Sequence, residues 1–468
     1  MGRRLLIVCS CALVWCGAAH ADPWTKADQK LTMSDGVQLA TTLYEPATAP
    51  PVGGFPAIVL FHGLGGTRTS MNTLAELTFA TQDYAVLTFD FRGHGQSGGL
   101  FDLDGPREVE DVRELLAWLD THQEIDAARV GAWGVSLGGG AVWEALKAGL
   151  PFAAAEVSIT WTDLYEALAS GNLAKSGAIL AALNSVPADR RAPEIGALQA
   201  DALNSRNMDA LHVFADSRSV LGSLRQITTP VEVFQARRDF TFGLDQGIKA
   251  YTELAGPKRL FIGDFGHPPS TYPGPDAVPM FTEASAWFNR WLKGVGTIGA
   301  GVEVSPDPWR GATVSYAKLP ALATVRTKAV KIGKTFGARG KIVATLALPG
   351  RRLETFGASV VTVTGSTRTQ AKQLVAVLET VKGHASTLIS DGGTLLPTAS
   401  KAWTVSFPLV SDATPIAKGS RLRLTLSWTS TAQDPGNLLY LTGVPDGSSL
   451  TVKSAYVTLP VLKRPISR

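Results

Sequence analysis

The sequence has very little cysteine, and Cys9, Cys11 and Cys16 all lie within its first 16 residues. This segment begins with two arginines, continues as a short apolar run and ends in Ala-His-Ala, which predicts a cleaved signal peptide over residues 1–21. Cleavage after Ala21 would leave no cysteine, which excludes disulfides, a catalytic thiolate and cysteine-bound metals. No other part of the sequence looks like a membrane segment. We therefore expect a secreted or periplasmic protein without a membrane span.

A lipobox is the alternative interpretation of the same segment, with Cys16 as the lipidated residue. Bulky Trp15 stands where a lipobox has a small residue, so cleavage by a signal peptidase is the favoured interpretation.

Charged residues make up only 18% of the chain, and their signs are divided unevenly. Residues 22–300 contain 21 Lys and Arg against 32 Asp and Glu, whereas residues 301–468 contain 21 against 8. We expect the two parts to dock on each other through this complementary charge, and binding of an anionic surface or polymer is the alternative. The basic residues form no aromatic-basic cluster, so nucleic acid is not an expected partner.

The first part of the chain alternates apolar, β-branched runs with helical patterns. Runs such as Phe55–His62 and Val231–Ala236 predict strands, and Glu108–Asp120 predicts a helix. This alternation indicates a mainly parallel sheet covered on both faces, preceded by a hairpin that turns at Asp35-Gly36. The helix-prone residues 162–225 interrupt the pattern and predict a helical cap over the strand ends.

From about Gly301 the texture changes to alternating Thr, Val and Leu with frequent Gly and Pro, which predicts an antiparallel sandwich or jelly roll. The fold class is therefore α/β with an all-β tail. The expected domains are a signal peptide over residues 1–21, a catalytic domain over 22–300 and a β domain over 301–468.

Gly134-Val135-Ser136-Leu137-Gly138 follows a short predicted strand and opens a helix-prone run. G-x-S-x-G in this setting is a nucleophile elbow, which holds a serine hydroxyl above the end of the sheet. Ser136 is therefore the candidate nucleophile.

A serine hydroxyl is a weak nucleophile and needs a base, which in turn needs an orienting acid. His267 follows a strand late in the core, where the order Ser, acid, His requires the base. Asp239 follows the strand Val231–Ala236 and is the favoured acid, with Asp245 and Asp264 as rivals. The remaining histidines of the mature chain are expected to be structural or solvated: His62, His94, His122, His212 and His384.

Acyl transfer also needs hydrogen-bond donors for the developing oxyanion. The candidates are the backbone N–H of Leu137 and that of Leu64, which lies in the glycine-rich loop 62–66. The loop 90–99 after another strand is interpreted as scaffold, with Arg92 bracing the site. Trp161 and Tyr165, at the entry of the cap, are candidates for lining the pocket, but a role in the apolar core is the favoured interpretation for both.

These motifs together resemble the α/β-hydrolase superfamily over residues 33–294. More narrowly, the chain is similar to the Xaa-Pro dipeptidyl-peptidase and cocaine-esterase-like family in the segments ITWTDLYEAL, RRDFTF, GDFGH and WFNRWLKG. The resemblance implies a C-terminal jelly roll, for which residues 374–392 and 416–428 are the matching segments. Leu137 stands where family members usually have Tyr, which weakens the transfer of peptidase activity.

The sequence predicts an exported serine hydrolase that forms an acyl-enzyme on Ser136 and uses neither metal nor cofactor. Its substrate is a small ester or a short Xaa-Pro peptide, and both activities stay open at this point. Polyester cleavage is a further alternative. A non-catalytic protein that binds envelope or glycan through its basic jelly roll is the alternative from a different class.

Overall fold

A computed structural model describes residues 22–299, 301–367, 373–397, 402–431 and 439–467. The predicted signal peptide and the lipobox alternative lie outside the described residues. Within the described residues, no helix is both long and apolar enough to cross a membrane.

The first part of the chain builds one ten-stranded sheet around the central strand Phe55–Phe61. Six adjacent strand pairs in its middle are parallel, and the pairs at its two edges are antiparallel. In spatial order the strands are Trp24–Thr32, Gln38–Pro46, Ala85–Phe89, Phe55–Phe61, Ile125–Val135, Ala154–Ser158, Val231–Ala236, Lys258–Gly263, Val302–Val304 and Val314–Tyr316.

Both faces of this sheet are buried, as the apolar runs of the sequence predict. In the central strand, Val59 and Phe61 pack into one apolar cluster and Ile58 and Leu60 into another on the opposite face. The covering helices are Pro106–Leu119, Leu137–Lys147, Leu244–Glu253 and Ala277–Leu292. Single turns lie at Arg68–Met71, Asn72–Leu74, Ala75–Phe79 and Ala80–Gln82.

The segment between the strands Ala154–Ser158 and Val231–Ala236 is helical, as expected for residues 162–225. It contains the helices Leu164–Ala169, Ser176–Asn184, Pro193–Asn204 and Met208–Ser217, with short turns at Ser170–Asn172, Ala188–Arg190 and Leu221–Gln226. The strands on both sides of the insert pair in parallel, so the insert leaves the sheet at the carboxyl end of Ala154–Ser158 and returns to it at the amino end of Val231–Ala236.

The C-terminal part consists mostly of two antiparallel sheets that share an apolar core. The first contains Leu322–Arg326, Ser449–Leu462, Val360–Thr367 and Trp403–Pro408, with Val330–Gly337 also paired to Ser449–Leu462. The second contains Ile342–Ala347, Arg421–Ser427, Gln373–Lys382 and Ala385–Leu395. A small third sheet pairs Leu353–Glu354 with Pro415–Ile416.

The expected boundary at residue 300 stays a prediction, but the sheet of the first part continues beyond it. Strand Val302–Val304 adds in parallel to Lys258–Gly263, and Val314–Tyr316 adds in antiparallel to that strand. The first sheet therefore contains residues that the sequence assigned to the β domain.

The expectation that the two parts dock through a basic tail and an acidic core is wrong. The ion pairs that cross residue 300 in the described chain are Arg237 with Glu354 and Arg259 with Glu303. Each has its cation on the side of residues 22–300, opposite to the expectation. The Arg259–Glu303 pair joins neighbouring strands of the first sheet, whereas Arg237–Glu354 reaches the β domain. Burial explains both pairs, because a buried arginine needs a carboxylate partner whatever the net charge of its domain.

Candidate active site

Ser136 occupies a sharp turn between the strand Ile125–Val135 and the helix Leu137–Lys147. Its backbone has φ 54° and ψ −116°, a conformation that is rare for a residue with a side chain. Gly134 and Gly138 make the turn possible. A Cβ atom on Gly134 would lie 2.2 Å from the Gly138 carbonyl oxygen, and one on Gly138 would lie 2.2 Å from that of Phe61. The local structure is the strained elbow that the G-x-S-x-G pattern predicts.

His267 and Asp239 lie beside this turn, each in a loop after a parallel strand. The Ser136 hydroxyl and His267 Nε2 are 2.9 Å apart, and His267 Nδ1 lies 2.6 Å from an Asp239 carboxylate oxygen. The structure thus brings together three residues that are far apart in sequence. It does so at the carboxyl ends of the strands, where open α/β sheets bind ligands.

Asp239 is fully buried, and the chain around it holds its carboxylate in place. One oxygen accepts the backbone N–H groups of Thr241 and Phe242, both at 2.9 Å. The other accepts His267 Nδ1 and, at 3.0 Å, the His267 backbone N–H. This pattern places the imidazole proton on Nδ1 and leaves Nε2 to accept from the serine hydroxyl.

The pKa of His267 is raised above its ordinary 6.5. Burial opposes the charged form of the imidazole, but the charge and the hydrogen bond of Asp239 outweigh the burial. His267 is therefore a stronger base than a free imidazole.

The rival acids do not contact His267. Asp245 lies in the first turn of the helix Leu244–Glu253 and pairs with Lys249 at 3.1 Å. Asp264 accepts the Ser270 hydroxyl at 3.3 Å. The structure therefore favours Asp239, in agreement with the order of the residues in the sequence.

His62 is buried under the glycine-rich loop and has a structural role. Its Nδ1 donates to the Gly63 carbonyl at 2.8 Å, and its Nε2 accepts the Phe91 backbone N–H at 3.1 Å. Burial lowers the pKa of His62 to about 4, so the ring stays neutral. It links the loop beside Ser136 to the neighbouring strand end.

Arg92 lies on the hairpin side of the sheet and binds two acids. Its guanidinium pairs with Asp111 of the helix Pro106–Leu119 and with Asp35 of the N-terminal hairpin turn, at 2.7 Å for Asp35. The expectation that Arg92 braces the site is therefore wrong. The two carboxylates hold the Arg92 guanidinium between the hairpin and the helix.

The candidate oxyanion donors lie on both sides of Ser136. Leu137 is the first residue of its helix, so its N–H has no acceptor within the helix. A Cβ atom on Gly63 would lie 3.6 Å from Ser136 Cβ, which puts the loop containing Leu64 directly against the serine.

A cavity of about 180 Å³ opens between Ser136 and the helical insert. Its lining is almost wholly apolar. Trp161 and Tyr165 both contribute to the lining, and both also pack in the apolar core, which was the favoured interpretation. No aspartate or glutamate lines it in the part of the chain that is described. The cap residues of the lining include Leu164, Leu168, Ala178, Ile179, Ala182, Leu183, Val186, Ile195, Leu198, Ala202, Leu211 and Phe214.

Lys175 belongs to no motif that sequence analysis could select. It is buried in the insert, and its ammonium donates to the carbonyls of Phe240 at 2.7 Å and Thr241 at 3.1 Å. These carbonyls belong to the turn that holds Asp239. A single lysine 64 residues before the acid carries no local signal, so only the fold could reveal this contact.

The described residues contain no group of three or more His, Cys, Asp or Glu side chains arranged to hold a metal ion.

This fold and this site define the class of the protein: a serine hydrolase of the α/β-hydrolase type. Residues 35–269 match the model of the X-Pro dipeptidyl-peptidase (S15) family, which is half of the chain. The chain belongs to this family, and the resemblance seen in its sequence is confirmed. It is therefore an enzyme, so the alternative of a non-catalytic binding protein is wrong.

Solved structures support the same fold at low sequence identity. A CocE/NonD family hydrolase from Staphylococcus aureus covers 94% of this chain with a TM-score of 0.72 and 14% identity, and 94% of its own chain is covered. An alpha-amino acid ester hydrolase covers 94% with a TM-score of 0.66 and 14% identity, with 98% of its own chain covered. Both likenesses extend through the mostly β C-terminal region.

A curated relative matches a shorter part of the chain. The quorum-quenching protein AidA from Acinetobacter baumannii is 38% identical over 113 residues, which is 23% of this chain. The chain spans only 36% of the length of that relative.

Proposed function

We propose that this protein is an exported carboxylesterase that accepts an apolar acyl group and forms an acyl-enzyme on Ser136. The observation that carries the proposal is the position of Ser136, bonded to His267 at 2.9 Å, at the base of an apolar cavity. Export rests on the signal peptide predicted for residues 1–21. We also retain the jelly-roll assignment for the β domain, which its two packed antiparallel sheets support.

In the proposed reaction, His267 Nε2 takes the proton of the Ser136 hydroxyl as the serine oxygen attacks the ester carbonyl. Asp239 holds the imidazole and stabilises its charged form. The N–H groups of Leu137 and Leu64 donate to the oxyanion of the tetrahedral intermediate. His267 then gives its proton to the leaving alcohol, which leaves an acyl group on Ser136. In the second half of the reaction, His267 takes a proton from the attacking water and returns it to the Ser136 oxygen as the acid is released. No step needs a metal or a cofactor.

The cavity favours an ester over an Xaa-Pro peptide. A dipeptidyl-peptidase must bind the charged amino terminus of its substrate, and burying an ammonium group without a partner is costly. The carboxylates that such a group needs do not line the cavity in the described residues. An apolar acyl chain, in contrast, gains about 0.8 kcal/mol for each methylene that it buries there.

The test compares p-nitrophenyl esters of increasing chain length with Gly-Pro-p-nitroanilide, using the mature chain and its Ser136→Ala variant. We expect hydrolysis of the esters, with kcat/KM rising from acetate to a medium-length acyl group. The Ser136→Ala variant should be inactive on each of them. Faster cleavage of the anilide would contradict the ester assignment, and activity that survives in Ser136→Ala would contradict the mechanism.

Cleavage of a polyester remains an alternative prediction, and release of soluble acid from a polyester film by the same two proteins would test it.

A further inference from the structure

The surface of the C-terminal part is more positive than its composition indicates, because most of its acids are buried. Glu354, Asp391 and Asp412 have no exposed surface, and Glu303 and Glu379 are only 5% and 4% exposed. In contrast, every lysine and arginine in the described part of residues 301–467 is exposed except half-buried Arg423. The surface charge therefore comes almost entirely from cations.

Most of these cations form no ion pair within the described part of the molecule. In the described residues of this part, Arg423 pairs with Glu379 at 2.6 Å, and exposed Arg339 lies 3.9 Å from Asp446. The pairs that cross residue 300 use arginines of the catalytic part, as described above. The exposed cations of the β domain are thus available to a partner outside this chain.

Several of them share one face of the five-stranded sheet. Val325 and Ala455 point into the core, so their neighbours Arg326 and Tyr456 point outward, and the Arg326 guanidinium stacks 4.1 Å from the centre of the Tyr456 ring. Lys331 is paired with outward Ser454. Exposed Lys453 lies next to it, where the pairing register of the strand shifts.

Hydroxyl groups fill the space between these cations. Thr335 bonds Thr451 at 2.7 Å, Thr362 bonds Ser406 at 2.8 Å and Thr364 bonds Thr404 at 3.0 Å. Each of these is a pair of residues opposite each other on neighbouring strands. Thr362 is buried, but the other hydroxyls of these pairs lie at the surface. We call this surface, made of Arg326, Lys331, Lys453, Tyr456 and the hydroxyls of Thr335, Thr364, Thr404, Ser406 and Thr451, the outer sheet face.

The outer sheet face points away from the active site. The inner faces of the two sheets pack on each other, and the other side of the four-stranded sheet packs on the catalytic part, where Val375 joins a cluster with Leu173 and Phe240. A partner on the outer sheet face would therefore leave the cavity above Ser136 open.

We propose that the outer sheet face binds an anionic polysaccharide. The cations match a repeated carboxylate or sulfate, and the hydroxyl rows can exchange hydrogen bonds with sugar hydroxyls. A membrane fits less well, because interfacial binding draws on buried apolar area, and the outward side chains here are mainly hydroxyls and cations. The bound polymer would hold the exported enzyme in place while its active site faces solvent.

The test measures binding of the mature chain to alginate, with neutral dextran as the reference polymer, by affinity electrophoresis at low and physiological ionic strength. The face variant carries Arg326→Gln, Lys331→Gln and Lys453→Gln. A matched control carries Lys382→Gln, Lys418→Gln and Arg421→Gln, three exposed cations from the strands and turns of the other sheet. Both variants lose the same net charge, and an unchanged thermal unfolding midpoint reports that each is folded.

We expect alginate binding that weakens with salt, no dextran binding, and a loss of roughly tenfold in affinity for the face variant but little for the control. Equal weakening of the two variants would overturn the proposal, because it would mean attraction to net charge alone. So would binding to phosphatidylglycerol-containing vesicles without binding to alginate, which would assign the face to a membrane. The inference does not depend on the proposed esterase activity, since the Ser136→Ala variant must bind alginate equally well.

Discussion

At the scale of single residues, the site depends on one fully buried carboxylate and the imidazole that it orients. Asp239 accepts four hydrogen bonds, three of them from backbone N–H groups. The carboxylate is thereby fixed by the chain itself, while the His267 side chain stays 26% exposed. Such an arrangement keeps the correct imidazole tautomer before substrate arrives.

Replacing Asp239 with Asn should remove this orientation with little change in shape. We expect kcat for a p-nitrophenyl ester to fall on the order of 10⁴-fold, because the amide cannot hold the Nδ1 proton in place. Asp245→Asn is the matched control, since Asp245 was the sequence-based rival and pairs with Lys249. Steady-state kinetics would show a small effect for the control. A larger loss for Asp245→Asn than for Asp239→Asn would contradict the assignment.

The raised pKa of His267 predicts the pH dependence of the reaction. The imidazole must be neutral to accept the serine proton, so activity is lost as the pH falls through the pKa of His267 in the folded enzyme. Because that pKa lies above 6.5, kcat/KM should decline on the acid side with an apparent pKa above that value. An apparent pKa below 6.5 in the pH profile of kcat/KM would contradict the conclusion that Asp239 raises the pKa of His267 more than burial lowers it.

At the scale of elements, the helical insert both forms the cavity and touches the acid turn. Lys175 reaches the carbonyls of Phe240 and Thr241, and next to it the Ser176 hydroxyl accepts the Leu441 N–H at 2.9 Å. The insert therefore connects the β domain to the turn that carries Asp239.

The Lys175→Met variant should loosen that turn. We expect kcat to fall between about tenfold and 100-fold with little change in KM, because a small displacement of the acid misdirects His267. Lys249→Met, which removes a less buried ion pair with Glu166 and Asp245, is the control. In the pH profile of kcat, the apparent pKa on the acid side should also shift in Lys175→Met. A loss of thermal stability with unchanged kcat would mean that the contact is only structural.

The cavity can be shortened from the cap side. Ala202 lines it from the helix Pro193–Asn204, and Ala197 of the same helix is exposed. Ala202→Phe should lower kcat/KM for medium-length acyl esters and leave the acetate ester nearly unchanged, because the ring occupies the space of the chain end. Ala197→Phe should alter neither. Equal losses for acetate and longer esters in Ala202→Phe would place the acyl group elsewhere.

Much of the catalytic part could be predicted from its sequence, because local patterns determine it. The strand Val231–Ala236 has the predicted bounds, and the elbow at Ser136 depends on glycines within two residues of it. What was missed depends on contacts between distant segments. The Lys175 ammonium binds a turn that follows it by more than 60 residues in the sequence. Arg92 forms ion pairs with acids of the hairpin and of a helix. The residues near Lys175 and Arg92 in the sequence do not indicate either of these partners.

At the scale of the whole molecule, a buried ion pair joins the catalytic part to the β domain. Arg237 and Glu354 are almost completely buried, with 2.5 Å between guanidinium and carboxylate, and Glu354 also accepts the N–H groups of Ile466 and Ser467. The pair ties the strand end before Asp239 to the end of the described chain.

Glu354→Gln should destabilise the protein strongly, because it leaves the Arg237 charge buried without a counter-charge. We expect the free energy of unfolding to fall by roughly 3–5 kcal/mol, measured by urea denaturation. Glu253→Gln, which breaks the pair with exposed Arg225, should cost less than about 1 kcal/mol. Similar losses in the two variants would show that the junction does not depend on this pair.

Rapid acid quench followed by mass spectrometry would show whether Ser136 carries the acyl group during turnover. The mature chain would be mixed with p-nitrophenyl octanoate, quenched within the first turnover and digested. We expect one octanoyl group, on the peptide that contains Ser136, and none in the Ser136→Ala variant. An octanoyl group on another residue, or steady turnover without any acylated peptide, would contradict this expectation.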